Sequence, residues 1–563
     1  MAATTTATHG HCRSSGLTVP DLLRDLEKML GESTSYHTHD SVPDTRTENG
    51  MPAYSSSGSP LLDLFMGAVR GKPELEFVAM IDKAWNSSPH KTLAILLHLR
   101  DIDAKGERLL TRYALLRIRD THPLTYVMML RAFVKVGYFK DLLEMVSEVT
   151  RRKCPPLTMS GTPIELVIFA DYLLADIDAR ETTESTSSNV RVSISLAAKW
   201  APTEKGKHDR DENGSQAKVL ARLLFPESKT PDREYRRRLT AMRAELKVVE
   251  SLMCSGQWDK INFSAVPAKA HRILRKAFGK QQAYRYQAYL DSLSRGETKI
   301  NVRGTMPHEL VQHYFDGTSR EGPFDQTIEA QWDTMIHNLM ASGTLDRVLA
   351  IVDVSGSMSG TPMLVAIALG LVTAALASPP FHDQCITFSA TPELHTVKGT
   401  TLHDRVGNLR HARWGYNTDL IAVFKLILSR AQSNRLAPEK MIKTLFIFTD
   451  MQFDVAQQGD WRAAYALIKG MYDDAGYTLP NIVFWNLRAA QPAFPCTANT
   501  PGVALVSGFS SELLKLFMSG PDSFTPESMM QQAIDPYMER VQIHPRDLPA
   551  PDCGPVTSSS TDV

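Results

Sequence analysis

The chain has 563 residues, more than a single hydrophobic core usually organises, so we expect about two to four domains. Lysine and arginine number 62, as do aspartate and glutamate, so any site for a charged partner must be local. The six cysteines are scattered without a Cys-x-x-Cys pair, which argues against a zinc module or a disulfide framework. No apolar run reaches the ~20 residues of a membrane-spanning helix, and the first residues lack a hydrophobic signal segment. We therefore expect a cytoplasmic protein without a membrane partner.

Residues 1–60 are rich in serine, threonine, glycine and histidine, a composition that predicts a disordered leader. A short amphipathic helix is expected within it, between residues 19 and 30. Its leucines fall on one side of the helix: Leu22, Leu23, Leu26 and Leu30.

Residues 61–343 are predicted to form an array of helices. Apolar residues recur at i, i+3 and i+4, and short loops with glycine or proline separate the helical stretches. No motif repeats with a fixed period, so we expect an irregular α-helical repeat of the HEAT-like kind. The clearest predicted helices are 75–85, 89–99, 106–119, 123–136 and 138–149.

The segment Lys105-Gly106-Glu107-Arg108 lies at the start of one predicted helix. It lacks the glycine and lysine frame of a phosphate-binding loop. We interpret it as a helix start with a cluster of charges on the surface.

The most basic part of the array is 233–290, with thirteen lysines or arginines and four acidic residues. A basic helix stripe with nearby aromatic side chains can neutralise phosphates and stack unpaired bases. Ile273 and Tyr284 are assigned to a neighbouring face that packs. The aromatic candidates are Phe278, Tyr284, Tyr286 and Tyr289. The candidate RNA-binding residues are Arg236, Arg237, Arg238, Lys269, Arg272, Lys276, Lys280 and Arg285. The alternative is an ordinary solvated helix pair with its tyrosines half-buried.

Residues 344–520 alternate between predicted strands and helices, which indicates an α/β doubly wound sheet. Residues 521–563 are predicted to be a C-terminal helix followed by a disordered tail. The six predicted strands are 348–352, 384–389, 394–397, 444–449, 481–487 and 503–506.

Polar residues follow two of these strands. The first strand ends in Asp353-Val354-Ser355-Gly356-Ser357, whose spacing can point one carboxylate and two hydroxyls at the same cation. Another buried strand ends in Asp450, and the turn 415–420 leads into a helix. Open α/β sheets carry their sites at the carboxyl ends of strands, so we expect these loops to meet. Hard oxygen ligands suit Mg2+, with Mn2+ as a natural substitute.

This arrangement resembles the von Willebrand factor A domain and its metal-ion-dependent adhesion site. The resemblance implies that Asp353, Ser355, Ser357, Thr418 and Asp450 are the metal-site positions. It also implies a protein partner that supplies a carboxylate to the cation. Met451 stands where that family usually has glycine. The alternative is a degenerate A domain whose polar loop binds no metal.

A second resemblance covers about residues 61–518. The chain looks like a member of the family called domain of unknown function 2828, which is similar to the TROVE module, the RNA-binding ring of the Ro autoantigen. Structured or single-stranded RNA is the partner that this likeness implies. The segments that carry it are 64–71, 99–108, 122–123, 136–143 and 257–267.

Together these patterns predict a non-enzymatic binding scaffold, with RNA on the helical array and a protein partner on the Mg2+ site of the A domain. The alternative is a protein-only adaptor that uses the same metal site. A metal-dependent hydrolase built on Asp353 and Asp450 is a third hypothesis, but no base is evident beyond the ligands. Glycines in 317–325 and at 342–344 predict flexible joints, so the two halves are expected to be independently tethered.

Overall fold

Helices dominate the first half of the chain, and strands alternate with helices in the second half, as the sequence predicts. The computed structural model describes residues 43–159, 161–185, 193–206, 208–211, 214–316, 322–388, 392–410, 419–453, 461–489, 493–518 and 523–548. The predicted amphipathic stretch at 19–30 and the tail beyond residue 548 lie outside the described residues.

The first half is built of helices that pack on their sequence neighbours. Several begin with proline, which fits a first turn because its missing N–H would be unpaired there anyway. Ser59 and Ser88 cap two of these starts through their side chains. The helices are α1 Pro60–Gly67, α2 Glu74–Ser87, α3 Pro89–Arg100, α4 Leu109–Thr121, α5 Pro123–Val136, α6 Lys140–Arg151, α7 Ile164–Ser185, α8 Ala197–Trp200, α9 Gln216–Leu224, α10 Pro231–Glu245, α11 Val249–Cys254, α12 Ala268–Gln281, α13 Ala283–Ser294, α14 Pro307–Tyr314 and α15 Gln326–Met340.

The described residues before 341 also form three short antiparallel ribbons. They are β1 Thr45–Arg46 with β2 Pro52–Ala53, β3 Thr158–Met159 with β4 Thr162–Pro163, and β5 Arg210–Asp211 with β6 Gly214–Ser215.

The second half is organised by a six-stranded mixed sheet in the order β12-β11-β10-β7-β8-β9. Neighbouring strands are parallel except for β8 and β9. Ile351 of β7 lies beside Ile447 of β10, which lies beside Phe484 of β11. The strands are β7 Val348–Val352, β8 Gln384–Thr387, β9 Glu393–Thr396, β10 Thr444–Thr449, β11 Asn481–Asn486 and β12 Val503–Ser507. Each predicted strand is therefore present, with ends that differ from the prediction by at most two residues.

Helices cover both faces of this sheet, because alternate residues of the central strands belong to two different cores. Val348, Ala350 and Val352 face the core that contains α16, which is apolar on all sides and buried from Met363 to Leu376. Leu349 and Ile351 face the core that contains α18. The helices of this half are α16 Thr361–Leu376, α17 Leu402–Arg410, α18 Leu420–Ser433, α19 Trp461–Asp474 and α20 Pro526–Met538.

The two halves share their cores, so the predicted independent tethering is wrong. The core around Leu349 continues into the first helices of the array, and α20 packs against α3. On the other face, the Glu329 carboxylate of α15 accepts hydrogen bonds from the first N–H groups of α17, those of Leu402 and His403, at 2.7 and 3.1 Å. The described residues from Asp44 onward form one compact unit.

A buried lysine joins the halves, where a surface charge cluster was predicted. The Lys105 ammonium is inaccessible and donates to the Ser507 hydroxyl at the end of β12, at 2.7 Å, and to the Phe65 carbonyl. Glu107 is also buried and pairs with Arg70. Burial lowers the pKa of Lys105 to about 7.

Residues 44–59 fall in the predicted leader but are structured. Thr47 donates to the carbonyl of Phe453 at 2.8 Å, and the backbone of Tyr54 exchanges two hydrogen bonds with Phe494. At the other end, Asp547 accepts a hydrogen bond from Thr125 of α5. Both segments therefore close the joint between the halves. Across the described ranges, no helix has the length and apolarity that a bilayer span requires.

Candidate metal centre and basic surface

The polar residues that follow β7 and β10 lie side by side, as predicted. These strands are parallel neighbours, and the N–H of Asp353 donates to the carbonyl of Phe448 at 3.1 Å. Asp353 and Asp450 therefore leave the sheet at the same edge. Both are buried.

The loop after β7 holds Asp353 in a fixed orientation. Its Oδ1 accepts from the N–H of Ser355 at 2.9 Å, and its Oδ2 accepts from the Thr449 hydroxyl at 2.8 Å. The hydroxyls of Ser355 and Ser357 are 3.1 Å apart. The predicted alternation thus brings two hydroxyl oxygens together beside a fixed carboxylate.

Asp450 is held from the loop that follows it. Its Oδ1 accepts from the N–H of Gln452 at 3.1 Å, and its Oδ2 accepts from Arg488 Nη1 at 3.3 Å. Met451 between them has φ 67°, in the left-handed region that favours glycine. The position where the resembled family usually has glycine therefore keeps a glycine-like backbone although it carries methionine.

The electrostatics of the site favour an added positive charge. Burial, together with the negative charge of Asp450, raises the pKa of the Asp353 carboxyl to about 6. Among the described residues, no cluster of three His, Cys, Asp or Glu side chains could hold a metal ion. The oxygen donors that the site offers are the carboxylates of Asp353 and Asp450 and the hydroxyls of Ser355 and Ser357. Such hard oxygens fit Mg2+ or Mn2+. Thr418, the fifth predicted ligand, lies outside the described residues.

Two contributors to this site were not predicted from the sequence. Thr449 precedes Asp450 directly and is the last residue of β10. Arg488 follows the end of β11, two residues beyond Asn486. The rule that sites gather at carboxyl ends of strands would have drawn attention to Arg488, since β11 neighbours β10.

Most of the predicted RNA-binding residues are engaged within the protein. Arg272 pairs with Glu309 at 2.6 Å and donates to Gln331, and Arg285 donates to the carbonyls of Trp258 and Ile261. The three candidate arginines of α10 form ion pairs with acidic neighbours: Arg236 with Glu204, Arg237 with Glu234, and Arg238 with Glu234 and Glu181. These five arginines therefore already have partners within the array.

Three lysines of the predicted stripe are exposed. Lys269, Lys276 and Lys280 lie on one face of α12, and they form no ion pair within the described part of the chain. Ile273 lies between them with 68% of its surface exposed, so the packing face assigned to it is wrong. The three lysines extend along roughly 16 Å of helix, at about 1.5 Å per residue.

The aromatic candidates divide in the same way. Phe278, Tyr286 and Tyr289 form a buried core with Phe263 and cannot stack on a base. Tyr284, at the start of α13, is 90% exposed. One aromatic side chain and three lysines are thus left as the basic surface.

A helical array fused to an α/β sheet domain is the class of protein that these features define. The family described as Domain of unknown function (DUF2828) matches residues 47–161 and 166–345, and the chain belongs to it, as predicted. A second family, Domain of unknown function (DUF7788), matches residues 347–547. The chain is also similar to Uncharacterized protein L728 of Acanthamoeba polyphaga mimivirus, with 37% identity over 513 residues and 87% of each chain covered. Among solved structures, the Ro (RSR) protein of Deinococcus radiodurans matches with 17% identity and a TM-score of 0.41, covering 85% of this chain and 100% of that one.

Proposed function

We propose that this protein is a non-enzymatic binding scaffold whose α/β half is a von Willebrand factor A-like domain with a divalent-cation site. The observation that carries the proposal is the convergence of Asp353, Ser355, Ser357 and Asp450 at adjacent strand ends. A bound Mg2+ or Mn2+ would supply an open coordination position to a carboxylate of a protein partner. Thr449 and the Ser355 backbone orient Asp353 for this role.

The surroundings of the carboxylates support binding rather than catalysis. In the described residues, their side-chain and backbone partners are Ser355, Thr449, Gln452 and Arg488. None of these is a general base at neutral pH, so a hydrolase would need a base that this contact set does not supply.

Mn2+ titration tests the cation site. Asp353→Ala should abolish Mn2+ binding measured by the electron paramagnetic resonance signal of the free ion, because it removes a charged oxygen ligand. Asp474→Asn is the matched control, since this exposed carboxylate lies in α19 of the same half. Equal Mn2+ affinity in wild type and Asp353→Ala would refute the assignment.

RNA binding is the second candidate function, and the exposed lysine face of α12 favours it. Lys269, Lys276 and Lys280 can contact successive phosphates, while Tyr284 offers a free ring for base stacking. The protein-only adaptor remains the alternative, in which this face is simply solvated.

Fluorescence anisotropy with a labelled single-stranded RNA distinguishes RNA binding from the protein-only adaptor. Replacing the three lysines by alanine should weaken binding and flatten the salt slope by about two, at roughly 0.7 per phosphate. The control replaces three exposed lysines from separate helices, Lys83, Lys135 and Lys218. Tyr284→Ala should cost about 1–3 kcal/mol if a base stacks there. Equal losses in both triple variants would favour the adaptor.

A further inference from the structure

Arg488 is a cation that already sits on one of the candidate metal ligands. We propose that it competes with the divalent ion for Asp450, so that cation binding requires Arg488 to leave. This inference rests on the proposed metal site and goes beyond it, because it assigns an internal regulator of the site's affinity.

The hydrogen bonds of Asp450 place the competition at one atom. Oδ1 is occupied by the backbone N–H of Gln452, which belongs to the same loop and cannot leave without rearranging it. Oδ2 accepts no backbone N–H among the described contacts, and Arg488 Nη1 approaches it at 3.3 Å, so a cation on this oxygen and the guanidinium would share one atom. A metal ion on Oδ2 and a guanidinium at that position would repel each other.

The contact between Arg488 and Asp450 is weak enough to break when a cation binds. It is a single long hydrogen bond rather than the paired, bidentate contact that arginine forms in strong carboxylate bridges. The side chain of Arg488 is 39% exposed, whereas that of Asp450 is fully buried. Its backbone N–H is separately anchored on the Asn486 side chain at 3.1 Å, so the guanidinium can move while the loop stays in place.

The departing guanidinium has one direction open to it. A cavity of about 40 Å3 lies beside Asp450, but it is lined by the buried Lys72 of the helical half as well as by Arg488. Another cation already borders it, and repulsion from the Lys72 ammonium opposes entry of the guanidinium. Arg488 must therefore move towards solvent.

Charge balance gives the sign of the effect. Asp353 and Asp450 carry two negative charges, which Arg488 offsets by one. Adding a divalent cation while Arg488 stays gives a net positive site, whereas exchanging the two gives a neutral one. The exchange is thus favoured, and removing the arginine charge should tighten cation binding.

Mn2+ titration of the full chain tests this. Arg488→Gln should lower the Mn2+ dissociation constant about tenfold, and Arg488→Lys, which keeps the charge, should stay within about twofold of wild type. Mn2+ binding to wild type with no tightening in Arg488→Gln would overturn the competition and leave the metal site standing. No Mn2+ binding to any of the three proteins would overturn both.

A measurement on the unaltered protein guards against a variant that fails to fold. Phenylglyoxal modifies accessible arginines, and mass spectrometry of the peptide containing Arg488 reports the rate. Saturating Mn2+ should speed modification of Arg488 several-fold while leaving the exposed Arg237 unchanged. A slower or equal rate at Arg488 would show that it stays on Asp450 when the ion binds.

Discussion

Replacing Asp353 by asparagine should stabilise the metal-free protein. The pKa of the carboxyl is raised from 3.8 to about 6, so the folded state disfavours the charge at neutral pH. With about 1.4 kcal/mol for each pH unit, that disfavour is on the order of 3 kcal/mol. The sign follows from linkage: a carboxyl with a raised pKa loses folding free energy as the pH rises from about 4 to about 6. Asp353→Asn removes this loss.

Part of that gain is offset by the hydrogen bonds of the site. An asparagine oxygen can still accept from the N–H of Ser355, but its amide nitrogen cannot accept from Thr449. The Thr449 hydroxyl already accepts from the N–H of Met451 and would have to turn to accept again. Losing one such bond costs about 1 kcal/mol, so we expect a net gain of about 1–2 kcal/mol.

Urea unfolding at pH 7.5 gives the free energy of unfolding of the metal-free protein when a chelator is present, and of the Mg2+-bound protein when Mg2+ is in excess. With the chelator, Asp353→Asn should be the more stable protein. With Mg2+, the wild type should gain about 2.7 kcal/mol at a hundredfold excess over its dissociation constant, and the variant should gain nothing. Asp474→Asn should follow wild type in both conditions. A variant that is less stable than wild type with the chelator would refute the buried-charge reasoning.

Three further expectations concern the pH dependence of cation binding, the buried Lys105 and the basic stretch. Mn2+ affinity should fall about tenfold per pH unit below pH 6 as Asp353 takes up its proton, and equal titrations at pH 5 and pH 7 would contradict this. Burial lowers the pKa of Lys105 from 10.5 to about 7, so between these two pH values the unfolded chain binds one proton more than the folded protein. As the pH rises above 7, the wild type should therefore gain stability relative to Lys105→Met by up to about 1.4 kcal/mol per pH unit, measured by urea unfolding. Parallel pH profiles of the two proteins would contradict this expectation. Arg272→Ala should destabilise the protein by about 2–3 kcal/mol, because it removes the ion pair with Glu309 and the hydrogen-bond donor to Oε1 of the buried Gln331. Lys276→Ala should stay within about 0.5 kcal/mol of wild type in thermal or urea unfolding.

The central strands were predictable because they are largely apolar runs that are buried on both faces. These runs end at the edge of the sheet, and the first polar residues after β7 and β10 are Asp353 and Asp450. The position of these carboxylates therefore follows from the sequence alone, together with the edge of the sheet on which they meet. Arg488 does not, because its contact depends on β11 pairing with β10 rather than on any local pattern.

The exposure of the basic stretch was less predictable, because the pattern of charges along a helix does not indicate which side chains of neighbouring helices pair with them. Arg272 and Lys276 are one helical turn apart, yet the first meets Glu309 of α14 and the second meets solvent. The tyrosines show the same limit, since Tyr286 is buried among phenylalanines and Tyr284 is exposed. Only the packing of one helix pair on another decides which of these side chains a partner can reach.

The joint between the halves is what sequence patterns missed most, and it changes how the candidate site should be understood. Glycine-rich loops predicted loose tethering, but Lys105 is buried against β12 and the cavity beside Asp450 is lined by Met66 and Lys72 from the helical half. The proposed cation site therefore borders residues of both halves. We expect the helical half to influence which partners can reach the proposed site, because Asp450 is fully buried and the cavity beside it is bordered by Met66, Lys72 and Met80.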